Sequence, residues 1–138
     1  MTSRILDAQT LQLIALFEQM TGAQVKDCVQ EEGQIIFIVD QGEIAKAIGK
    51  GGKHARDLEY KSKKRVKIVE FHNDVIQFVQ NLISPVEISE AKLEGETLVL
   101  RTKDLKSRGL LIGRNATTLR FFEGIVQRYF PIKELKVA

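Results

Sequence analysis

Between Glu43 and Leu58 the chain reads EIAKAIGKGGKHARDL, and the run Gly49-Lys50-Gly51-Gly52 at its centre limits what can surround it. Ile44, Ala47 and Ile48 recur at helical spacing before the glycines, and Ala55 and Leu58 resume the same apolar period after them. The spacing predicts two helices joined by a turn too tight for ordinary side chains, since glycine tolerates positive φ and lets another backbone come close. Lys50 and Lys53 put positive charge on that turn. The second helix begins there with unsatisfied backbone N–H groups, and such a start attracts phosphate. The joint reads either as a hinge or capping turn, or as a clamp for a nucleic-acid backbone.

Charge distribution bears on that choice. The net charge of the 138 residues is only +3. From Met1 to Ala45, however, two basic residues face seven acidic ones, a balance of −5. From Lys46 to Lys67 nine basic residues face Asp57 and Glu59, and from Arg101 to Arg120 six face Asp104, giving +7 and +5. Basic charge thus gathers at two places, each with a glycine at a helix–helix turn, which is the electrostatic footprint of a nucleic-acid binder. Charge runs are also commonly solvated faces, so charge alone leaves the choice open.

Other classes are disfavoured. A lone cysteine, Cys28, forms no internal disulfide and implies a reducing compartment, so a cytoplasmic location is expected. Its place in an alternating apolar strand reads as a buried structural thiol. Two histidines, His54 and His72, without a cysteine cluster argue against zinc, and no cofactor is expected. No apolar run approaches a membrane span, and the first residues carry no apolar signal core. The acidic pairs Glu31-Glu32 and Asp40…Glu43 fall at turns and read as solvated, so no acidic or histidine cluster supports a nuclease or other enzyme.

In order, Asp7 to Met20 carries Leu13, Ile14, Leu16, Phe17 and Met20 on a helical period, with Asp7 as N-cap and Gly22 as stop. Ala23 to Gln30 and Gln34 to Val39 read as a strand hairpin around Glu31-Glu32-Gly33. The two helices around the glycines follow, ending near Lys63, and Arg65 to Val69 alternates as a third strand. The order is α-β-β-α-α-β. It then repeats, with a helix at 73–83 stopped by Ser84-Pro85, strands at 86–92 and 97–101, and a helix at 103–112. Gly113-Arg114-Asn115-Ala116 follows where Gly49 to Gly52 stood, then a helix at 117–130 and a strand at 132–137. The flanking match of Leu111-Ile112-Gly113-Arg114 to Ala47-Ile48-Gly49-Lys50 marks an internal repeat. The expected class is α+β in two domains, 1–70 and 71–138, each with a three-stranded mixed sheet packed against helices. Units of about sixty to seventy residues are marginal for a core of their own. The join near Phe71 lacks Gly, Pro and Ser, so docking is expected, with Phe71 and Phe78 as candidate contacts.

The order α-β-β-α-α-β with Ile48-Gly49-Lys50-Gly51-Gly52 at the helix–helix turn resembles the KH domain in its type II arrangement. Two such domains in tandem resemble the archaeal NusA-like transcription factors, over nearly the whole chain. The resemblance implies binding of single-stranded RNA, about four nucleotides per groove. It assigns Gly49, Lys50, Gly51 and Gly52 to a backbone grip, with Lys53 adding charge, and Ile44, Ile48 and Ala55 to an apolar groove. Arg65 and Lys67 fall on the third strand, where the family reads base edges or neighbouring phosphates. With no aromatic from Glu43 to Leu58, ring stacking is not expected to dominate this groove. The second repeat departs from the pattern. Gly113, Arg114 and Asn115 keep a glycine and a cation, and Arg120 adds another, but Ala116 replaces the closing glycine. Phosphate contact there is expected in altered or weaker form.

The functional reading is a monomeric, non-enzymatic RNA-binding factor in transcription elongation or termination. An RNA-binding role in ribosome assembly or RNA decay is the alternative. RNA polymerase is a further partner of the first reading, although KH domains do not themselves imply it. Lys61, Lys63 and Lys64 read as a solvated helix end, His54 as a surface or groove-edge residue, and Phe121 and Phe122 as packing residues.

Overall fold

Hydrophobic alternation and glycine punctuation produce six α-helices, two short 3-10 turns and six strands among the described residues, which in the computed structural model are 8–31 and 33–138. The expected N-cap Asp7 lies outside them. These residues divide into two compact units, one ending at His72 and the other Asn73–Ala138.

The first unit holds α1 (Ala8–Thr21), β1 (Val25–Glu31), β2 (Gln34–Val39), α2 (Ile44–Ile48), α3 (Lys53–Ser62) and β3 (Arg65–Glu70). Gly22, at φ +75°, ends α1 by donating its N–H to the Glu18 carbonyl at 2.8 Å, as a left-handed C-terminal glycine does. β1 pairs antiparallel with β2, and β3 pairs parallel with β2. One face of this mixed sheet receives the helices. There Phe17 of α1 stacks on Phe37 of β2 with ring centroids 4.2 Å apart. Cys28, Ile35, Val39, Ala47 and Leu58 complete the buried cluster, with Ile44, Val66 and Ile68 packed against it. Cys28 is a buried thiol that forms no disulfide, as alternation implied.

The second unit repeats the order: α4 (Val75–Ile83), β4 (Ile88–Glu94), β5 (Thr97–Thr102), α5 (Leu105–Ile112), α6 (Thr117–Gln127) and β6 (Glu134–Val137). β4 and β5 are antiparallel, and β5 and β6 parallel. Phe78, Leu82, Leu98, Leu100, Leu111, Ile125 and Leu135 are fully buried. Phe78 has Tyr129 and Phe130 as ring neighbours, each at 5.8 Å, while Phe71 lies under the Lys26 ammonium at 4.4 Å. Each phenylalanine near the join therefore has a partner in its own unit. Both sheets carry a bulge in their first strand, between Val25 and Asp27 and between Ile88 and Glu90. The second was visible as a slip in the alternation; the first was not.

Several boundaries differ from the periodicity. α4 and α5 start two residues late because Asp74 and Asp104 are N-caps, accepting from the N–H groups of Gln77 (3.3 Å) and Ser107 (2.7 Å). α6 stops at Gln127 rather than at 130. The N–H groups of Arg128 and Tyr129 turn to the carbonyls three residues back, Ile125 and Val126, both at 3.1 Å, which tightens the last turn. Val86 donates to the Ile83 carbonyl, and Ile132 to that of Phe130, so both residues belong to turns and their strands begin later.

Candidate nucleic-acid interface

α2 ends because Gly49 takes φ +74° and ψ 175°, a combination open essentially to glycine alone. A tight turn over Lys50–Gly52 follows, in which Gly51 (φ +62°, ψ 22°) and Gly52 (φ +74°, ψ 21°) are both left-handed. Two left-handed residues in succession redirect the chain so that α3 starts at once. The N–H of Gly49 donates to Ala45, that of Gly52 to Gly49, and that of Lys53 to Lys50. Those of Lys50 and Gly51 have no acceptor among the described residues. A Cβ on Gly51 would meet nothing within 4 Å, so the turn opens on one side.

Two side chains from α3 reach back to this turn. His54 Nδ1 lies 3.1 Å from the Ala47 carbonyl, and its ring fills the space that a Cβ on Gly49 would need, at 2.6–2.7 Å. His54 is thus a latch between α2 and α3 as well as a groove-edge residue. Arg56 donates to the Gly51 carbonyl, and its guanidinium would lie 3.7 Å from a Cβ on Gly52. Neither contact follows from residue type; both follow from a helix restarting inside the turn.

The second turn has nearly the same backbone without the same residues. Gly113 takes φ +74° and ψ −178°, Asn115 φ 55° and ψ 32°, and Ala116 φ +60° and ψ 21°. Thr118 plays the part of His54, with its Cβ at 2.7 Å and its N–H nitrogen at 3.1 Å from where a Cβ on Gly113 would stand. Asn tolerates the left-handed region, whereas Ala116 sits there at a cost of about 1 kcal/mol. Ala116 therefore does not distort the loop; it adds a methyl group and strain to an unchanged path.

Of the residues expected to line the first groove, Ile48 is 39% exposed beside the turn and Ala55 is half-buried at the start of α3. Ile44 packs against the core, as does the fully buried Ala47. Lys50, Lys53, Arg114 and Arg120 are exposed. Arg120 pairs with Glu123 at 2.6 Å, and the same carboxylate accepts the Leu135 N–H at 2.8 Å. Arg65 and Lys67 alternate with Val66 and Ile68, which face the helices, so they lie on the opposite face of the sheet and are not brought to the turn. Burial of Lys67 lowers its pKa from the usual lysine value. Tyr60, two residues beyond Leu58, is 77% exposed on α3.

Glu43, read as a solvated turn carboxylate, instead ties the start of β1 to the start of α2. It accepts the Gln24 N–H at 2.9 Å and pairs with Lys46 at 3.4 Å. The Gln24 N–H, with help from Lys46, holds its carboxyl below the usual range. Asp104 is lowered likewise by the Ser107 N–H that it caps. No group of three or more His, Cys, Asp or Glu suited to a metal occurs among the described residues, and no helix there is long and apolar enough to cross a membrane.

No protein-family model matches the chain. The fold is similar to that in the crystal structure of APE1850, with a TM-score of 0.72 over 96% of this chain and 99% of that one, at 23% identity. Curated relatives carry the name "Probable transcription termination protein NusA". The protein of Methanococcus vannielii is 32% identical over 135 residues, spanning 96% of this chain and 78% of its own. That of Halococcus morrhuae is 31% identical over 130 residues, spanning 93% and 94%. That of Methanocaldococcus jannaschii is 30% identical over 135 residues, spanning 96% and 74%. With 30–32% identity over 93–96% of its length, the chain belongs to the family of archaeal NusA-like transcription termination proteins.

Proposed function

We propose that the chain is a pair of type II KH domains, 1–70 and 71–138, that binds single-stranded RNA in the service of transcription termination. The observation that carries this reading is the first glycine turn. Its backbone is held by His54 and Arg56, two N–H groups are left without acceptors, and Lys50 and Lys53 are exposed beside them. Such a turn offers an RNA phosphate close approach, N–H donors and cations together. Ile48 and Ala55 give the neighbouring bases an apolar strip. The names of the relatives supply the setting, transcription termination, and RNA polymerase is the further partner that setting brings.

The two turns divide the work unequally. Arg114 and Asn115 supply a cation and an amide, but Ala116 puts a methyl group where the backbone comes nearest, and Glu123 engages Arg120. Titration of the whole chain with a single-stranded RNA of about a dozen nucleotides, against the same sequence as a duplex, tests the reading. Single strands are expected to bind more tightly, with log affinity falling by about 0.7 per neutralised phosphate as log salt rises. Equal affinity for the duplex would remove the KH reading. In the same assay Arg114→Asp with Asn115→Asp is expected to weaken binding less than the matching change at Lys50 and Gly51. An equal or greater loss would make the second turn the principal grip.

A further inference from the structure

α3 carries more than the start of a helix. At 100° per residue, Lys53, Arg56 and Tyr60 fall within an arc of about 60° on one side of it, opposite the buried Leu58, and Lys63, the left-handed C-cap, and Lys64 follow its end. Lys53, Arg56, Tyr60 and Lys63 are exposed and Lys64 half-buried. Asp57 lies at the edge of this stripe, four residues before Lys61. The stripe begins at the glycine turn, because Arg56 donates to the Gly51 carbonyl. A Cβ on a helix tilts toward the N-terminus, so the Tyr60 side chain leaves the helix in the direction of Arg56 and the turn.

An aromatic ring 77% exposed in a row of cations lacks the usual reason for an aromatic residue, which is burial. Resting on the RNA-binding reading above, we propose that the RNA continues from the glycine turn along the outer face of α3, and that Tyr60 is a stacking platform for one of its bases. Lys53 and Arg56 carry the intervening phosphates. From Lys53 to Tyr60 the helix rises about 10 Å, room for one to two nucleotides beyond the grip. Aromatic platforms in a basic track bind any base, because every base has a π-face. The second unit has no such track. In the 64-residue offset that aligns Gly49 with Gly113, Thr117 stands for Lys53, Gly124 for Tyr60, and Arg120 is held by Glu123. The platform therefore belongs to the first unit alone and reinforces the asymmetry of the two turns.

The chain contains no tryptophan, so Tyr60→Trp provides a single fluorescent reporter at the proposed platform. Saturation with a single-stranded RNA of about a dozen nucleotides is expected to quench its emission, as stacking on a base does. Tyr60→Ala is expected to lose roughly five- to a hundredfold in affinity for that RNA, the range for removing one stacked base, with its salt dependence unchanged because no charge is lost. Tyr60→Phe should keep most of the affinity. A tetranucleotide, which the grip alone accommodates, should distinguish Tyr60→Ala from the parent chain far less. The side chain faces solvent, so a melt should show each variant as stable as the parent. The inference fails if Tyr60→Ala binds the longer RNA as the parent does, or if the tryptophan emission is unmoved at saturation, while Lys50→Asp with Gly51→Asp still abolishes binding. If that double variant binds normally, the glycine-turn reading fails as well.

Discussion

Replacing Lys50 and Gly51 together by aspartate is expected to lower affinity for single-stranded RNA by more than about a hundredfold and to leave the chain folded. Each charge-assisted hydrogen bond is worth about 1.5–3 kcal/mol, and the double change removes one cation and sets two carboxylates against the phosphate. The lost cation and the added repulsion, at about 1.5 kcal/mol each, together weaken binding more than a hundredfold. The fold should survive for reasons visible in the turn. Lys50 is exposed, and a Cβ at Gly51 would meet nothing within 4 Å. Gly51 is left-handed, at φ +62°, so a side chain there costs about 1 kcal/mol, but Asp tolerates that region better than most. The second turn supplies the precedent, since Asn115 occupies the matching position at φ 55°. An RNA titration beside a thermal melt decides the matter. Unchanged affinity with an intact melt would remove the grip from this turn.

The element order was legible because each unit carries its own punctuation. Gly22 stops α1, Gly33 and Gly95 turn the hairpins, and the Ile-Gly-basic sequence of Ile48-Gly49-Lys50 and Ile112-Gly113-Arg114 fixes where one helix gives way to the next. What escaped the sequence depends on contacts that periodicity does not encode. Asp74 and Asp104 moved two helix starts because capping is decided by one hydrogen bond, not by the apolar repeat that follows. The bulge at Val25 is a register event between strands. The resemblance gave Arg65 and Lys67 to base edges or neighbouring phosphates, and strand alternation puts both on the face away from α2 and α3. Glu43 looked solvated because a carboxylate at a turn usually is; its partner, the Gln24 N–H, lies nineteen residues earlier. His54 and Arg56 could have been suspected from their distance to the turn. Residues five positions beyond a glycine come back over it when a helix restarts at once, and Gly113 with Thr118 repeats that spacing.

The same spacing makes Gly49 the least replaceable glycine of the first turn. Gly49→Ala is expected to destabilise the first unit by about 3 kcal/mol or more, whereas Gly51→Ala should cost about 1 kcal/mol. Two effects add at Gly49. Its φ of +74° with ψ 175° is closed to side chains, at about 1–3 kcal/mol. The new methyl would also stand 2.6–2.7 Å from the His54 ring, which would have to leave the Ala47 carbonyl that it now meets at 3.1 Å. At Gly51 only the first kind of cost applies, and in the milder left-handed region that Asn115 already occupies in the second turn. Gly113→Ala should be at least as damaging as Gly49→Ala, because the atoms in the way include the Thr118 backbone nitrogen at 3.1 Å, which no rotamer change moves. Thermal melts of the three variants give the order directly, at about 2–8 °C per kcal/mol for chains of this size. Replacing His54 by alanine in the Gly49→Ala chain separates the two effects. If the ring is the obstacle, removing it should recover part of the lost stability; if the double variant is no more stable than Gly49→Ala alone, backbone conformation accounts for the whole cost and His54 is not the latch.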